Sequence, residues 1–287
     1  MEPLPLHFSQ DFLPERSLIA RLLPFAATSG SGDKEFIGSE TGIPTGKSSG
    51  KVEPMIHYAR GMGLIQSTHT SGHWQLELTT LGRVVLTEDP YLSEAATLWL
   101  LHLLFCRRSS LKKPAVGLAD SWYALFAEGA LRLGEHFEQK SYFKFLSERQ
   151  GAKSYLKGLS GLVLRSYIEP SCFQPINALS VSKLENQTTY FRHIAPLDGS
   201  YFPTYSAYLF HVWDDLFAGQ NQLAVEELFS ESKCLAVMGW DQKSASKLLD
   251  WMADRGLLQL DRQTGGTLAL RLHDTDAVDS EIYSELV

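Results

Sequence analysis

The stretch DQKSASKLLDWMADRGLLQLDRQTGGTLALRL, residues 241–272, decides the fold class. Its first half has apolar residues at helical spacing between Asp241, a typical N-cap, and Gly256, a typical helix end. Its second half has two apolar runs about Gly265-Gly266, which predicts a β-hairpin. Two amphipathic stretches, TYSAYLFHVWDDLF and LAVEELFSE, precede it. Helices followed by a hairpin predict a winged helix-turn-helix.

The predicted third helix of this domain has two different sides. Leu248, Leu249 and Met252 form an apolar side that faces the core. The opposite side is polar and, together with the hairpin, predicts DNA contact through Gln242, Lys243, Ser246, Lys247 and Arg262. The alternative is an ordinary solvated face that binds nothing.

The N-terminal stretch repeats the same order. SLIARLLPFAAT and DKEFIGSET predict helices, and Pro54 restricts the start of the next helix to Ser49 or Gly50. LIQSTHTSGHWQLELTTLG then alternates about a Ser-Gly turn, as a hairpin does. We expect a second winged helix-turn-helix, which contacts DNA or, alternatively, only protein. The predicted DNA-binding residues are Lys47, Ser48, Lys51 and Arg60.

Residues 45–48, Thr-Gly-Lys-Ser, imitate part of a nucleotide-binding P-loop. The motif needs a glycine at position 41, where the chain has Thr41, and it needs a preceding apolar strand, where the chain is polar. The sequence therefore argues against an NTPase.

The middle of the chain is predicted to be helical. DPYLSEAATLWLLHLLFC is almost wholly apolar after Asp89-Pro90, a suitable helix start, and predicts a buried helix. LADSWYALFAEGALRL predicts a second helix, whose aromatic residues suit a core better than a stacking platform. The following stretch is the most basic in the chain and predicts a DNA-facing track through Lys140, Lys144, Lys153 and Lys157, although Glu138 and Glu148 interrupt it.

The predicted architecture is mainly α within the α+β class. Two winged helix-turn-helix domains, residues 1–88 and 201–287, flank a helical middle domain at residues 89–200. The last domain includes the acidic tail HDTDAVDSEIYSELV, which we expect to be mobile or bound to a partner.

Composition indicates a cytoplasmic globular protein without a membrane anchor. The 287 residues carry a net charge of −7, which excludes a generally basic nucleic-acid coat but allows local basic faces. The three cysteines are far apart, form no CxxC pair and suit a reducing compartment. The N-terminus has no signal-peptide pattern.

Several motifs resemble the DUF4007 family. FSQDFLPER, GK…IHYARGMGLI and LTTLGRVVLTEDPYLSEAATLWLLHLLF followed by WYALFAE occur in the family's order. The family-like Gly-Lys maps to Gly50-Lys51, while a tryptophan expected near Ala59 is missing. The family in turn resembles the B component of single-strand DNA phosphorothioation (Ssp) antiphage systems.

The resemblance implies DNA binding during DNA modification. It also implies partners: an ATPase, a PAPS-reductase-like sulfur transferase and a cysteine desulfurase, with double-stranded DNA as substrate and an oligomer possible. Metal-dependent nicking of one strand is a further implication, because sulfur insertion must open the backbone.

A Mg²⁺-dependent nickase needs carboxylates that converge on the scissile phosphate. The nearest available group is Glu88, Asp89, Glu94 and Asp120, of which the last three are the predicted catalytic residues. Asp89 before a proline is more often a helix cap than a metal ligand. His102 in an apolar helix suits a hydrogen-bonded core residue. Three hypotheses follow: a DNA-binding subunit, which we favour, an intrinsic nickase, and a protein-binding winged-helix adaptor.

Overall fold

Helices and three small antiparallel sheets build the described part of the chain, which comprises residues 2–48, 50–184 and 187–286 of a computed structural model. The predicted α+β class is thereby confirmed. No helix within these ranges is long and apolar enough to cross a membrane.

The N-terminal unit contains three helices and a sheet in the order β1-β3-β2. Its elements are α1 (Arg16–Ala27), β1 (Ser31–Gly32), α2 (Lys34–Thr41), α3 (Val52–Gly61), β2 (Ile65–Thr70) and β3 (His73–Leu78).

Local chemistry explains the boundaries of these elements. Asp33 caps α2 by accepting a hydrogen bond from the N–H of Phe36 at 2.8 Å. Ser71 and Gly72 take positive φ angles of 51° and 84°, as a two-residue hairpin turn requires. Helix α3 begins at Val52, two residues after Gly50, and keeps Pro54 within its first turn. The other predicted start, Ser49, lies outside the described residues.

Two helices connect this unit to the middle of the chain: α4 (Thr80–Glu88) and α5 (Ala95–Phe105). Every residue of α5 after Ala95 is buried, as its apolar composition predicts. The predicted start at Asp89-Pro90 is wrong, because residues 90–94 form a turn. The carboxylate of Asp89 accepts hydrogen bonds from the N–H groups of Ser93 and Glu94 within that turn.

The middle region is not purely helical, because it contains a sheet that the sequence did not predict. The sheet has the order β4-β6-β5, and the strand β6 of its hairpin contains Thr188 and Thr189. The elements are α6 (Asp120–Tyr123), a π-helical turn (Ala124–Glu128), α7 (Gly129–Leu133), β4 (His136–Phe137), α8 (Gln139–Gln150), α9 (Leu156–Arg165), β5 (Leu179–Leu184) and β6 (Gln187–Arg192).

The C-terminal unit again ends in a three-stranded sheet, in the order β7-β9-β8. Its elements are α10 (Phe202–Leu216), β7 (Gln222–Ala224), α11 (Val225–Ser232), α12 (Cys234–Met238), α13 (Gln242–Asp254), β8 (Leu258–Gln263), β9 (Gly266–Arg271) and α14 (Thr275–Asp279).

The acidic tail is docked, which corrects the expectation of a mobile end. Val278 and Ile282 are buried, and α14 packs against α10 and α4. The Tyr283 hydroxyl lies 2.7 Å from the Thr97 hydroxyl, and Asp279 lies 2.9 Å from His211 Nε2. Apolar residues spaced through the acidic sequence explain why the tail is held.

Residues 2–15, the N-terminal strap, run across α3 and join the N-terminal unit to the middle region. The strap residue Phe8 is buried, with ring centroids 5.0 Å from Tyr58, 6.0 Å from Phe105 and 5.8 Å from Trp122. The N–H of Leu4 donates to the carbonyl of Leu118 at 2.8 Å. The strap is therefore part of the core.

Replacing Phe8 by alanine should lower the free energy of unfolding by about 3–5 kcal/mol, because the cavity lies among aromatic rings that cannot collapse together. Urea unfolding followed by tryptophan fluorescence measures this loss. Leu6→Ala is the matched control, since Leu6 is in the same strap but 37% exposed, and it should change stability by no more than about 0.5 kcal/mol. Equal effects of the two variants would refute the buried position of the strap.

Candidate nucleic-acid interface

Helix α13 presents an open polar face. Asp241 caps it by accepting a hydrogen bond from the N–H of Ser244 at 2.8 Å, and this bond lowers the pKa of the Asp241 carboxyl. The side with Leu248 and Met252 is buried, as predicted. The predicted DNA-binding residues of the helix are all exposed: Gln242, Lys243, Ser246 and Lys247.

The β8–β9 hairpin lies beside this face. Gln263 pairs with Gly266, so Thr264 and Gly265 form the turn near the predicted position. The guanidinium of Arg262 in β8 forms an ion pair with Asp250 in α13. Both side chains are more than half exposed, so the pair holds α13 and the hairpin together only weakly. Helix α13 and the hairpin thus form one continuous exposed surface.

Helix α3, the corresponding helix of the N-terminal unit, has no comparable open face. The N-terminal strap covers it, and the Tyr58 hydroxyl donates to the carbonyl of Phe12 at 2.9 Å. The side-chain amide of Gln10 donates to Glu53 at 3.2 Å. Only Glu53, His57 and Arg60 of α3 keep partial exposure. The surface that a reading helix would place in a groove is therefore occupied by the chain itself.

The strap also engages two of the predicted DNA-binding residues. The ammonium group of Lys51 lies 2.5 Å from Glu15 and 5.7 Å from the centroid of the Phe12 ring. Arg60 donates to the backbone carbonyl of Glu2 at 3.4 Å. Lys47 and Ser48 lie in the exposed turn before α3. Of the four, only these last two are fully exposed.

The predicted basic track of the middle region lies on α8 and α9 and in the loop between them. Lys140, Lys144, Lys153 and Lys157 are all exposed. Lys140 forms an ion pair of 2.8 Å with Glu138, whereas no ion pair engages the other three within the described residues. The DNA-binding role of these lysines stays a prediction.

Asp120 lies in an ion-pair network and is buried. Its carboxylate accepts two hydrogen bonds from the guanidinium of Arg149, at 2.7 Å and 2.9 Å, and one from the side-chain amide of Gln150. The N–H of Gly117 donates a further bond at 2.9 Å. Arg149 also pairs with Glu128. These bonds occupy the oxygens of Asp120 and give it a structural role.

Asp89 and Glu94 do not join Asp120 in a metal site. Asp89 is buried and stabilises the turn before α5, whereas the N-cap residue of α5 is Glu94, so Asp89 does not cap this helix. Glu94 is exposed. No group of three or more His, Cys, Asp and Glu side chains in the described ranges could hold a metal ion. The structure therefore does not assemble the predicted carboxylate cluster.

Other titratable groups are held in the core. His102 is fully buried, its Nδ1 lies 2.7 Å from the Tyr167 hydroxyl, and burial lowers its pKa to about 3. This confirms the prediction of a hydrogen-bonded core residue. All three cysteines are buried, and burial raises the pKa of the Cys172 thiol to about 11. Neutral buried thiols are poor nucleophiles and poor persulfide carriers.

Asp120→Ala should lower the free energy of unfolding by about 3 kcal/mol, because it leaves the guanidinium of Arg149 buried with Glu128 as its remaining carboxylate. Glu94→Ala, the matched control on an exposed carboxylate, should change stability by no more than about 0.5 kcal/mol. Urea unfolding of both variants measures the difference. A stable Asp120→Ala protein would contradict the structural role.

Two crystal structures share this fold. A magnesium-ion-bound SspB aligns with a TM-score of 0.72 at 16% sequence identity, over 98% of this chain and 87% of the SspB chain. A second SspB structure aligns with a TM-score of 0.67 at the same identity and coverage. No curated protein matches the chain significantly.

The sequence itself matches one family model, described as "Protein of unknown function (DUF4007)", over residues 42–168. The match spans α3, the hairpin β2–β3 and the helices from α4 to α9, which include most of the motifs that suggested the resemblance. The match confirms the resemblance over residues 42–168 of this chain.

Proposed function

We propose that this chain is the DNA-binding component of a bacterial DNA phosphorothioate modification system that defends against phage. The observation that carries the proposal is the open polar face of α13 beside the β8–β9 wing, with Lys243 and Lys247 exposed. The fold of the chain resembles that of SspB over nearly its whole length, and this likeness and the DUF4007 match support a role in DNA modification.

The element order favours winged helix-turn-helix domains at both ends. In the C-terminal unit a helix, a strand, two main helices and a hairpin follow one another, with the first strand beside the last in the sheet. In this proposal α13 is the reading helix, which suits insertion into the major groove, and β8–β9 is the wing on the DNA backbone. We assign residues 1–88, 89–200 and 201–287 to three domains.

The two end domains have different roles in this proposal. Helix α13 binds duplex DNA, whereas α3 is covered by the N-terminal strap and holds the chain together. Lys47 and Ser48 remain in reach of a DNA backbone from the turn before α3. The covered α3 also favours the second candidate, an adaptor whose N-terminal domain faces other proteins of the system. These partners are the ATPase, the sulfur transferase and the cysteine desulfurase.

Strand nicking is assigned to another component rather than to Asp89, Glu94 and Asp120. One of the two SspB structures contains magnesium. Mg²⁺ takes oxygen ligands in octahedral geometry and often needs only one or two carboxylates. Asp89 and Asp120 do not suit it, because each is buried and already accepts several hydrogen bonds. Of the three residues, Glu94 has an exposed carboxylate that no hydrogen bond or ion pair engages within the described residues.

The DNA-binding proposal predicts a steep salt dependence. If Lys243 and Lys247 each neutralise a phosphate, log affinity for duplex DNA falls with log salt by about 0.9 per contact, and Lys243→Ala/Lys247→Ala should flatten the slope by about 1.8. Fluorescence anisotropy of a labelled duplex at several salt concentrations measures the slope.

Lys34→Ala is the matched control for this experiment. Lys34 is exposed at the start of α2, and no ion pair engages it within the described residues, so its removal should leave the slope unchanged. Affinity that does not depend on salt would reject DNA binding and leave the adaptor.

The assignment of nicking to another component predicts that the purified chain with Mg²⁺ leaves supercoiled plasmid intact. Gel electrophoresis distinguishes supercoiled from open-circular DNA. Conversion to open circle that Glu94→Ala abolishes, while the protein stays folded, would establish an intrinsic nickase and overturn this part of the proposal.

A further inference from the structure

The middle region has the same element order as the two end units. A helical segment (α6 to α7) leads into β4, and then α8, α9 and the hairpin β5–β6 follow. Its sheet order β4-β6-β5 repeats β1-β3-β2 and β7-β9-β8, with the first strand beside the last in each case. Helix α9 therefore holds the position that α3 holds in the N-terminal unit and α13 in the C-terminal unit.

We propose that the outer face of α9 is a second nucleic-acid-binding surface, which takes the phosphodiester backbone of a DNA strand. The proposal shares with the proposed function only the premise that the chain binds nucleic acid, and it does not require α13.

The outer face of α9 is open and lined with cations. The helix buries Leu159, Leu162 and Val163 on one side. On the other side it exposes Lys157, Gly158 and Arg165, with Gly161 half-buried between them. These residues line a depression of about 630 Å³, whose rim includes Asp11, Gln139 and Ser154. An open depression of this kind admits an extended DNA strand.

The charge around the depression favours an anionic ligand. Residues 138–169 carry six Lys and Arg against three carboxylates, in a chain whose net charge is −7. Arg165 lies 3.4 Å from Glu169, and Arg149 is engaged by Asp120 and Glu128. No ion pair engages Lys153 or Lys157 in the part of the chain that the structure describes. Asp11 is the opposing carboxylate at the rim, and His7 lies 3.5 Å from it.

Gly158 gives an independent reason to expect close approach by a ligand. Glycine inside a helix is unfavourable relative to alanine, so it usually has a packing reason. Here a Cβ would meet no atom outside the helix closer than 3.5 Å, the distance to Asp11 Oδ1. The packing within the chain therefore does not require glycine. A backbone phosphate that displaces the exposed Asp11 carboxylate and approaches the helix between Lys157 and Arg165 would require it.

The experiment compares two lysine pairs in the full-length chain. Lys153→Ala/Lys157→Ala removes one lysine from the loop before α9 and one from its first turn, neither of which an ion pair engages within the described residues. Lys243→Ala/Lys247→Ala removes the lysines of α13, and Lys34→Ala is the control. Anisotropy is measured against salt with a labelled duplex and with a single strand of the same length. We expect the α9 pair to flatten the log–log slope by about 1.8 on duplex DNA and about 1.4 on a single strand.

Each outcome separates this proposal from the proposed function. Flattening by the α9 pair on either probe supports the α9 surface, and the probe with the larger loss of affinity identifies duplex or single-stranded DNA as its ligand. If only Lys243→Ala/Lys247→Ala flattens the slope, the α9 surface is refuted and the proposed function stands. If only the α9 pair does so, the assignment to α13 is refuted instead. No salt-dependent binding to either probe would overturn both.

Gly158→Ala tests the close approach by itself. Alanine should raise Tm, because it favours the helix and fits without a clash. It should also weaken DNA binding several-fold, because its methyl group holds the DNA backbone away from the helix. A role confined to folding would raise Tm and leave affinity unchanged, which would refute close approach at this position.

Discussion

The rest of the structure depends on α5, a helix that is apolar on every side. A helix with one apolar stripe needs one neighbour, whereas α5 must be covered all round. Helices α10, α3 and α12 pack against it, so elements from all parts of the chain meet on one core. The aromatic group of Phe8, Tyr58, Phe105 and Trp122 extends that core. Burial of α5 therefore fixes how the three sheet-bearing units are placed.

This common core makes three similar units unequal. Each unit presents a helix before its final hairpin, but the strap covers α3, while α9 and α13 face outward. The strap leaves α3 without an open face and adds the buried contacts of Phe8 to the N-terminal unit. Exposed lysines then remain on α9 and α13. Repetition of a fold does not repeat its function, since function depends on which side chains stay in solvent.

The buried polar residues form hydrogen bonds that stabilise the packing around the same core. Asp120 and Arg149 join α6 to α8, Asp89 stabilises the turn before α5, and Asp279 secures the docked tail to His211. A buried carboxylate needs partners to remain charged, and burial raises the pKa of Asp279 despite its histidine neighbour. Such residues resemble catalytic candidates in a sequence, because structural and catalytic carboxylates both occur near turns and helix starts.

The sequence by itself determined the α+β class, the hairpin about Ser71-Gly72, the cap Asp241, and the exposed side of α13. These features arise from contacts between residues close in the chain, which composition and spacing record. Tertiary structure decided that the strap covers α3, that Lys51 pairs with Glu15, that the middle region forms its own sheet, and that the tail docks. Each of these depends on partners brought from elsewhere in the chain by the burial of apolar surface, and no local pattern encodes such partners.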